Sequence, residues 1–216
     1  DGPRGRIYLM KQMLEGNEVT EKTRTHLDRC LTCRNCETTC PSGVAYGHLV
    51  DIGRKIVEER TERPLGDRAK RWAVKTFFPN TTAFSIATKL GMTFRPLLPA
   101  TLANKLPKAI APAPARPAAR HARKMVALAG CVQPVLTPAT NAAAARVLDR
   151  IGISLVEAPS AGCCGAVRFH MNDQAAGLDD MRRMIDAWWP LVEQGAEAFV
   201  MTASGCGATV REYGHH

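Results

Sequence analysis

Ile153-Ser-Leu-Val-Glu-Ala-Pro-Ser-Ala-Gly-Cys-Cys-Gly-Ala166 decides how the C-terminal half of this chain folds. A short apolar run leads to a cysteine pair flanked by glycines. The same arrangement occurs twice more: Met125-Val-Ala-Leu-Ala leads into Gly130-Cys131, and Ala198-Phe-Val-Met-Thr leads into Gly205-Cys206. Helical periodicity fills the gaps, over Ala142–Ile151 and over Gln174–Ala187, where Leu178, Met181, Met184 and Ile185 share a face. Strand, helix, strand, helix, strand predicts parallel pairing through crossover helices. Parallel strands end on a common edge, where ligands bind. Cys131, Cys163, Cys164 and Cys206 are therefore expected to gather there, with glycines letting the backbone approach a bulky cofactor. Buried cysteines also pack as small hydrophobes, and a thiol–disulfide redox pair is a further use. Four cysteines beside glycines at strand ends favour a metal cluster. Trp188-Trp189-Pro190 is expected to pack a helix end against the sheet.

The other four cysteines stand 90 residues upstream, in Cys30-Leu-Thr-Cys33-Arg-Asn-Cys36-Glu-Thr-Thr-Cys40-Pro41. This C-x2-C-x2-C-x3-C-P spacing is the ferredoxin-type run. A cubane cluster needs thiolates converging on several irons, and such short gaps let a curled loop aim three sulfurs inward. The rival is zinc, whose four-cysteine sites come as two separated C-x2-C knuckles. Iron–sulfur chemistry is the better fit, with Cys30, Cys33, Cys36 and Cys40 as ligands. In two-cluster proteins the fourth cysteine of each run ligates the other cluster. One run is present here, so a second run is expected before Asp1.

Outward from these two groups the chain reads as a two-part α+β protein. The expected divisions are 1–62, the C-terminal helical half of a two-cluster ferredoxin-like module; 63–122, a helical connector and a Pro/Ala-rich basic linker; and 123–216, an α/β cysteine-rich domain with a parallel sheet. Helical patterns run through Ile7, Met10 and Leu14, over Thr20–Arg29, and from a Ser42 N-cap through Leu49, Ile52, Ile56 and Val57 to about Glu62. Phe77, Phe78, Phe84 and Phe94 are expected to pack inside, and Pro107–Arg120 reads as extended linker. His26, His48 and His170 are expected mostly as surface or helix residues, though each could tune a cluster through a hydrogen bond. No role falls to the closing Gly-His-His.

With 216 residues, 45% hydrophobic and 23% charged, the chain is ordinary globular material, long enough for one or two cores. The longest uncharged run, Met125–Ala145, holds two prolines, Gln133 and Asn141 and fails as a membrane helix. No signal peptide is visible at Asp-Gly-Pro-Arg-Gly-Arg, so disulfides are not expected and metal or redox chemistry is. The net charge of +9 is read first as solvated faces and a basic linker, and second as a partner or membrane-surface patch. Aromatics make up only 6% of the chain, and no nucleic-acid partner is expected.

Leu27 through Val44 around the first cysteine run, Asp-Gly-Pro-Arg-Gly-Arg-Ile at the start, Ala161-Gly-Cys-Cys-Gly-Ala166, Asp186-Ala-Trp-Trp-Pro190 and Thr202-Ala-Ser-Gly-Cys-Gly-Ala208 together resemble the iron–sulfur subunits of glycolate oxidase (glycolate dehydrogenase). The resemblance spans the chain and is weakest over 60–124. It implies two ferredoxin-type 4Fe–4S motifs followed by two cysteine-rich CCG domains. It implies electron relay from a flavin-containing (FAD) dehydrogenase subunit, where glycolate becomes glyoxylate, toward a quinone or other acceptor. It places the protein in the cytoplasm, with peripheral contact at the inner face of the plasma membrane. Cys30, Cys33, Cys36 and Cys40 match the second ferredoxin motif; Cys131, Cys163, Cys164 and Cys206 match the first CCG domain. Thr209 stands where the common CCG pattern has a final cysteine, so whether this domain holds a cluster stays open. No catalytic residue is expected on this chain. The alternatives are a CCG subunit for lactate, glycerol 3-phosphate or heterodisulfide chemistry, and a zinc-binding basic module contacting nucleic acid.

Overall fold

The computed structural model describes residues 2–158 and 160–215; Asp1, Pro159 and His216, which fall within the expected first helical stretch, the CCG approach and the chain end, lie outside the described residues. The N-terminal part is helical: α1 (Pro3–Leu14), α2 (Glu21–Asp28), α3 (Asn35–Thr38) and α4 (Tyr46–Arg60). Pro3 suits the first turn of α1, where its missing N–H costs nothing. Thr20 caps α2 by accepting from the Thr23 amide. The three longer helices close around Met10, Met13, Leu27, Tyr46, Val50 and Val57. Packing is tight enough that a Cβ on Gly53 would meet Met10 Sδ at 2.5 Å.

Ser42 is not the cap of α4. The helix starts four residues later behind Ala45, whose side chain offers no hydrogen bond. The orphan amide of Gly47 is instead satisfied by the Glu37 carboxylate, reaching over from α3. Ser42 and Gly43 belong to the turn that addresses Cys40.

Next come α5 (Leu65–Phe77) and α6 (Thr81–Thr93), the latter capped by Asn80 Oδ1 accepting from the Ala83 amide at 3.0 Å. A 3-10 turn at Arg95–Leu97 and α7 (Ala100–Ala103) follow. Only part of the phenylalanine expectation holds. Phe84 is buried with Phe78 tilted against it at 4.8 Å, whereas Phe77 and Phe94 are exposed, because α5 and α6 each meet the protein along one side only. Residues 107–118 are irregular, and Arg116 pins them to the sheet by donating to the Leu155 carbonyl and pairing with Glu157.

The C-terminal part holds a parallel three-stranded sheet of β1 (Arg123–Ala127), β2 (Ile153–Glu157) and β3 (Phe199–Val200), in the order β2-β1-β3. Val126 pairs with Val156 on one side and Phe199 on the other. Helices α8 (Gln133–Leu136), α9 (Ala139–Arg150), α10 (Ala166–His170), α11 (Gln174–Glu193) and α12 (Ser204–Val210) complete it. Alternating residues of β1 point to opposite faces. Ala127 packs with Ala145 of α9 and Leu155, while Val126 and Leu128 pack with Met184 and Trp188 of α11. Helix α11 runs six residues past the expected end, straight through Pro190. Trp188 does meet the sheet, stacked on Phe199 at 4.3 Å; Trp189 faces out and donates to Glu193. Among the described residues no helix is long and apolar enough to cross a membrane.

Candidate cysteine sites

The first group sits on a loop wound between α2 and α4. Thr32 and Arg34 both take left-handed backbone conformations, at φ 53° and 58°, which side chains other than glycine seldom adopt. This double reversal curls Cys30, Cys33 and Cys36 around one side. The Thr32 amide lies 3.4 Å from Cys30 Sγ. Burial pushes the Cys36 thiol up, and the negative character of Cys30 and Cys33 nearby adds to the shift. Three of the four sulfurs therefore feel one another. Cys40 stands apart from them: the amides of Val44 and Ser42, then that of Gly43, point at its sulfur and hold it below the ordinary thiol range, with Arg4 assisting. Successive amides aimed at one atom form an anion nest. Cys36 and Cys40 both line a cavity of about 550 Å3 that Arg4, Ile7 and Tyr46 also bound.

Arg54 of α4 holds the loop from behind. Its guanidinium lies buried and donates to the carbonyls of Leu27 (3.1 and 3.0 Å) and Cys30. Leu27 lies in the last turn of α2 and Cys30 just past its end, where a cation is favoured.

The second group forms as the strands require. All three strands run the same way, so Gly130-Cys131 after β1, the Cys163–Cys164 pair after β2 and Cys206 in α12 after β3 meet at one edge. Gly130, Gly162 and Gly165 take φ of 73°, 66° and 81° to make the turns. A Cβ on Gly165 would also meet the Gly177 carbonyl oxygen at 2.5 Å, so glycine here is a packing requirement of α10 on α11. Cys163 and Cys164 are almost wholly buried, and Cys131 nearly so. The four sulfurs link in a row. Cys131 and Cys164 stand as donors toward Cys163 and hold its thiol well below the ordinary range, with the Gly165 amide and Arg168 helping. Cys164 also donates to Cys206 and pulls that thiol down. The donors Cys131 and Cys164 are held protonated, Cys131 first by its bond to Cys163 and then by burial.

Contacts from the last turns tie the two groups together. Tyr213 Oη donates to the Cys164 carbonyl at 2.8 Å, and burial drives its own pKa up. Glu212 meets Arg34 Nη1 at 2.6 Å and His48 Nε2 at 3.5 Å. His170 Nδ1 lies 2.9 Å from Asp51 of α4, and its Nε2 faces Thr209 at 3.5 Å. Asn172 reaches the Arg54 carbonyl at 3.3 Å. His170, Glu212 and Tyr213 are the residues that a reading of the sequence undervalues, because their partners lie 49 to 178 positions away in the chain. His26 serves through its backbone carbonyl, which accepts from Arg6.

Among the described residues no three His, Cys, Asp or Glu side chains converge tightly enough for one metal ion. A single zinc draws its sulfurs to about 2.3 Å from one centre. A cubane takes one thiolate per iron and spreads them more widely. The buried Tyr46 hydroxyl makes no hydrogen bond among the described residues, and Cys30 and Arg6 lie beside it. The amides around Cys40, neighbouring thiols that shift one another and an unpartnered buried hydroxyl near Cys30 fit a polynuclear sulfur-ligated group.

Residues 125–211, which hold most of the sheet and all four cysteines of the second group, match the cysteine-rich domain family named CCG. Along nearly its whole length the chain is similar to iron–sulfur subunits of glycolate oxidase: 59% identical over 99% of the chain to the glycolate oxidase iron-sulfur subunit of Escherichia coli K12, and 30% identical over 99% to a probable glycolate oxidase iron-sulfur subunit of Bacillus subtilis 168. The resemblance expected from the residues thus extends over the weaker stretch 60–124 as well. The chain spans about half the length of these relatives, 53% of each. No solved structure gives a significant match.

Proposed function

We propose that this chain is the electron-relay part of a glycolate-oxidising complex, with no bond-making chemistry of its own. In this reading, 1–62 is half of a two-cluster ferredoxin-like module, 63–122 connects, and 123–216 is the cysteine-rich domain. The observation that carries it is the pairing of two cysteine groups through direct side-chain contacts, together with similarity along the chain to subunits named for iron–sulfur content and glycolate oxidation. Cys30, Cys33 and Cys36 would hold one 4Fe–4S cluster and Cys40 a second. Cys131, Cys163, Cys164 and Cys206 would bind a further cluster. Such clusters supply one-electron transfer without coordinating substrate.

The residues around them do identifiable work. The amides of Ser42, Gly43 and Val44 compensate negative charge at Cys40. Arg54 fixes the loop without contacting sulfur. Arg34, next to Cys33 in the chain, turns its guanidinium to Glu212. Apolar packing by Val126, Leu128, Met184 and Trp188 keeps water from Cys164. Glycolate would be oxidised to glyoxylate on an FAD-containing partner subunit, and electrons would leave toward a quinone-type acceptor at the inner face of the plasma membrane. Mixing glycolate with the reconstituted complex should bleach the broad visible absorbance of the clusters. Glycolate given to this chain without the flavoprotein should leave it unchanged. Bleaching without the flavoprotein would place substrate chemistry here and overturn the relay.

A further inference from the structure

Asp180 is a carboxylate at 1% exposure on an otherwise apolar face of α11. The buried positions of that helix are Gly177, Asp180, Met181, Met184 and Trp188. A carboxylate in such a place is costly unless cations and donors surround it. Two cations do. Arg168 of α10 sets Nη1 at 2.8 and 2.9 Å from the two carboxylate oxygens, and Arg183, one turn along α11, sets its Nη1 2.9 Å from Oδ1. Arg168 is itself held from a third side. Its Nε donates to the Lys75 carbonyl of α5 at 3.3 Å, and Lys75 Nζ lies 3.6 Å from Asp173.

This trio stands against the cysteine pair. Gly165 follows Cys164 in the chain, and a Cβ there would meet the Gly177 carbonyl oxygen at 2.5 Å and Met181 Cγ at 2.9 Å. Cys164 packs in one core cluster with Met184. Asp180 falls between those two contacts, three residues past Gly177 and four before Met184, on the same helix face. Arg168 is also among the groups that hold the Cys163 thiol low. A lone carboxylate beside gathered sulfurs would repel their negative charge. By drawing in two guanidiniums, Asp180 turns the local charge positive.

We infer that Arg168, fixed in place by Asp180, is the counter-charge of the second cysteine group and raises the reduction potential of the centre held there. Asp180 is a positioning residue, which forks Arg168 and draws Arg183 alongside. Reduction adds negative charge to a centre already anionic through its thiolates. A fixed cation in surroundings of low dielectric favours that step. The Arg168 side chain is 25% exposed and that of Arg183 57%, so water screens Arg183 more and Arg168 carries most of the effect. Its bond to the Lys75 carbonyl brings the connector helix α5 into the arrangement. The inference rests on the proposed relay, in which these four cysteines hold a redox centre.

The test is a redox titration of the full-length subunit followed by paramagnetic resonance, reading the part of the signal that Cys206→Ser removes. Iron and sulfide are assayed on the same samples. Arg168→Gln should lower that midpoint, so that the ratio of reduced to oxidised centre at a fixed potential falls about tenfold, or about 59 mV for a one-electron step. Arg183→Gln should shift it the same way by less. Arg168→Lys keeps the charge without the fork and should restore most of the shift. A purely structural Arg168 would make the Gln and Lys variants lose iron alike, with no shift in what remains, and that result overturns the inference. Should Arg168→Gln fail to fold, the shift in Arg183→Gln, made on an exposed side chain, decides. A loaded site whose midpoint ignores both Gln variants overturns the counter-charge alone. Absence of the Cys206-dependent signal and its iron from the unaltered protein overturns the counter-charge and the relay at this site together.

Discussion

At the scale of single residues, the cysteines are placed by their neighbours more than by themselves. Gly165 is the clearest case. Its φ of 81° and the 2.5 Å approach of a would-be Cβ to the Gly177 carbonyl leave no room for a side chain. Gly165→Ala should destabilise the protein by about 3 kcal/mol or more, read as the urea midpoint with an unchanged slope. Arg34 makes an electrostatic prediction. A cation on the ferredoxin-type loop favours an added electron, and Glu212 at 2.6 Å from Arg34 opposes that. Arg34→Glu should lower the midpoint potential of the ferredoxin-type cluster, and Glu212→Gln should raise it. Unmoved redox titrations in both would separate Arg34 from the cluster. The cysteine spacings, the chemistry they suit and the glycines beside them were all readable in the sequence, because spacing within a dozen residues constrains a loop directly. The left-handed Thr32 and Arg34 were not, since neither residue type announces that conformation.

At the scale of elements, hydrophobic periodicity found the strands and the main helices, and capping chemistry misled. Ser42 looked like a cap, but its amide is spent on Cys40 and Glu37 serves the helix from outside. The periodic pattern ends at Ala187, but α11 carries on through Pro190 to Glu193, with Trp188 stacked on Phe199 of the sheet. Trp188→Ala should cost about 3–5 kcal/mol, as large aromatic truncations in a core do, and should loosen β3 first in hydrogen exchange. Arg54→Lys keeps charge yet cannot fork between the carbonyls of Leu27 and Cys30. A loss of about 2 kcal/mol is expected by thermal melting. At the end of α9, hydrogen bonds from Arg120 hold the Asp149 carboxyl below its ordinary 3.8, burial opposing and His121 adding. A carboxyl depressed in the folded state stabilises it above the unfolded value, and that contribution fades as pH falls below 3.8 toward the folded one. Asp149→Asn should therefore flatten the acid limb of the stability profile and leave the neutral region less stable than the parent.

Over the whole molecule, the two cysteine groups are one assembly. Asp51 with His170, Arg34 with Glu212 and Arg54 with Asn172 cross from the helical part to the cysteine-rich domain. No local pattern encodes such pairs, as each partner alone reads as an ordinary polar surface residue, which is how His170 came to be expected. The central claim is that these thiols hold iron–sulfur clusters. Anaerobic reconstitution with iron and sulfide, followed by paramagnetic resonance of the reduced protein, tests it most directly. The account predicts iron and labile sulfide in equal amounts and a reduced-cluster signal from which Cys33→Ser and Cys206→Ser each remove a different part; bound zinc without sulfide, and no signal in the unaltered protein, would contradict it.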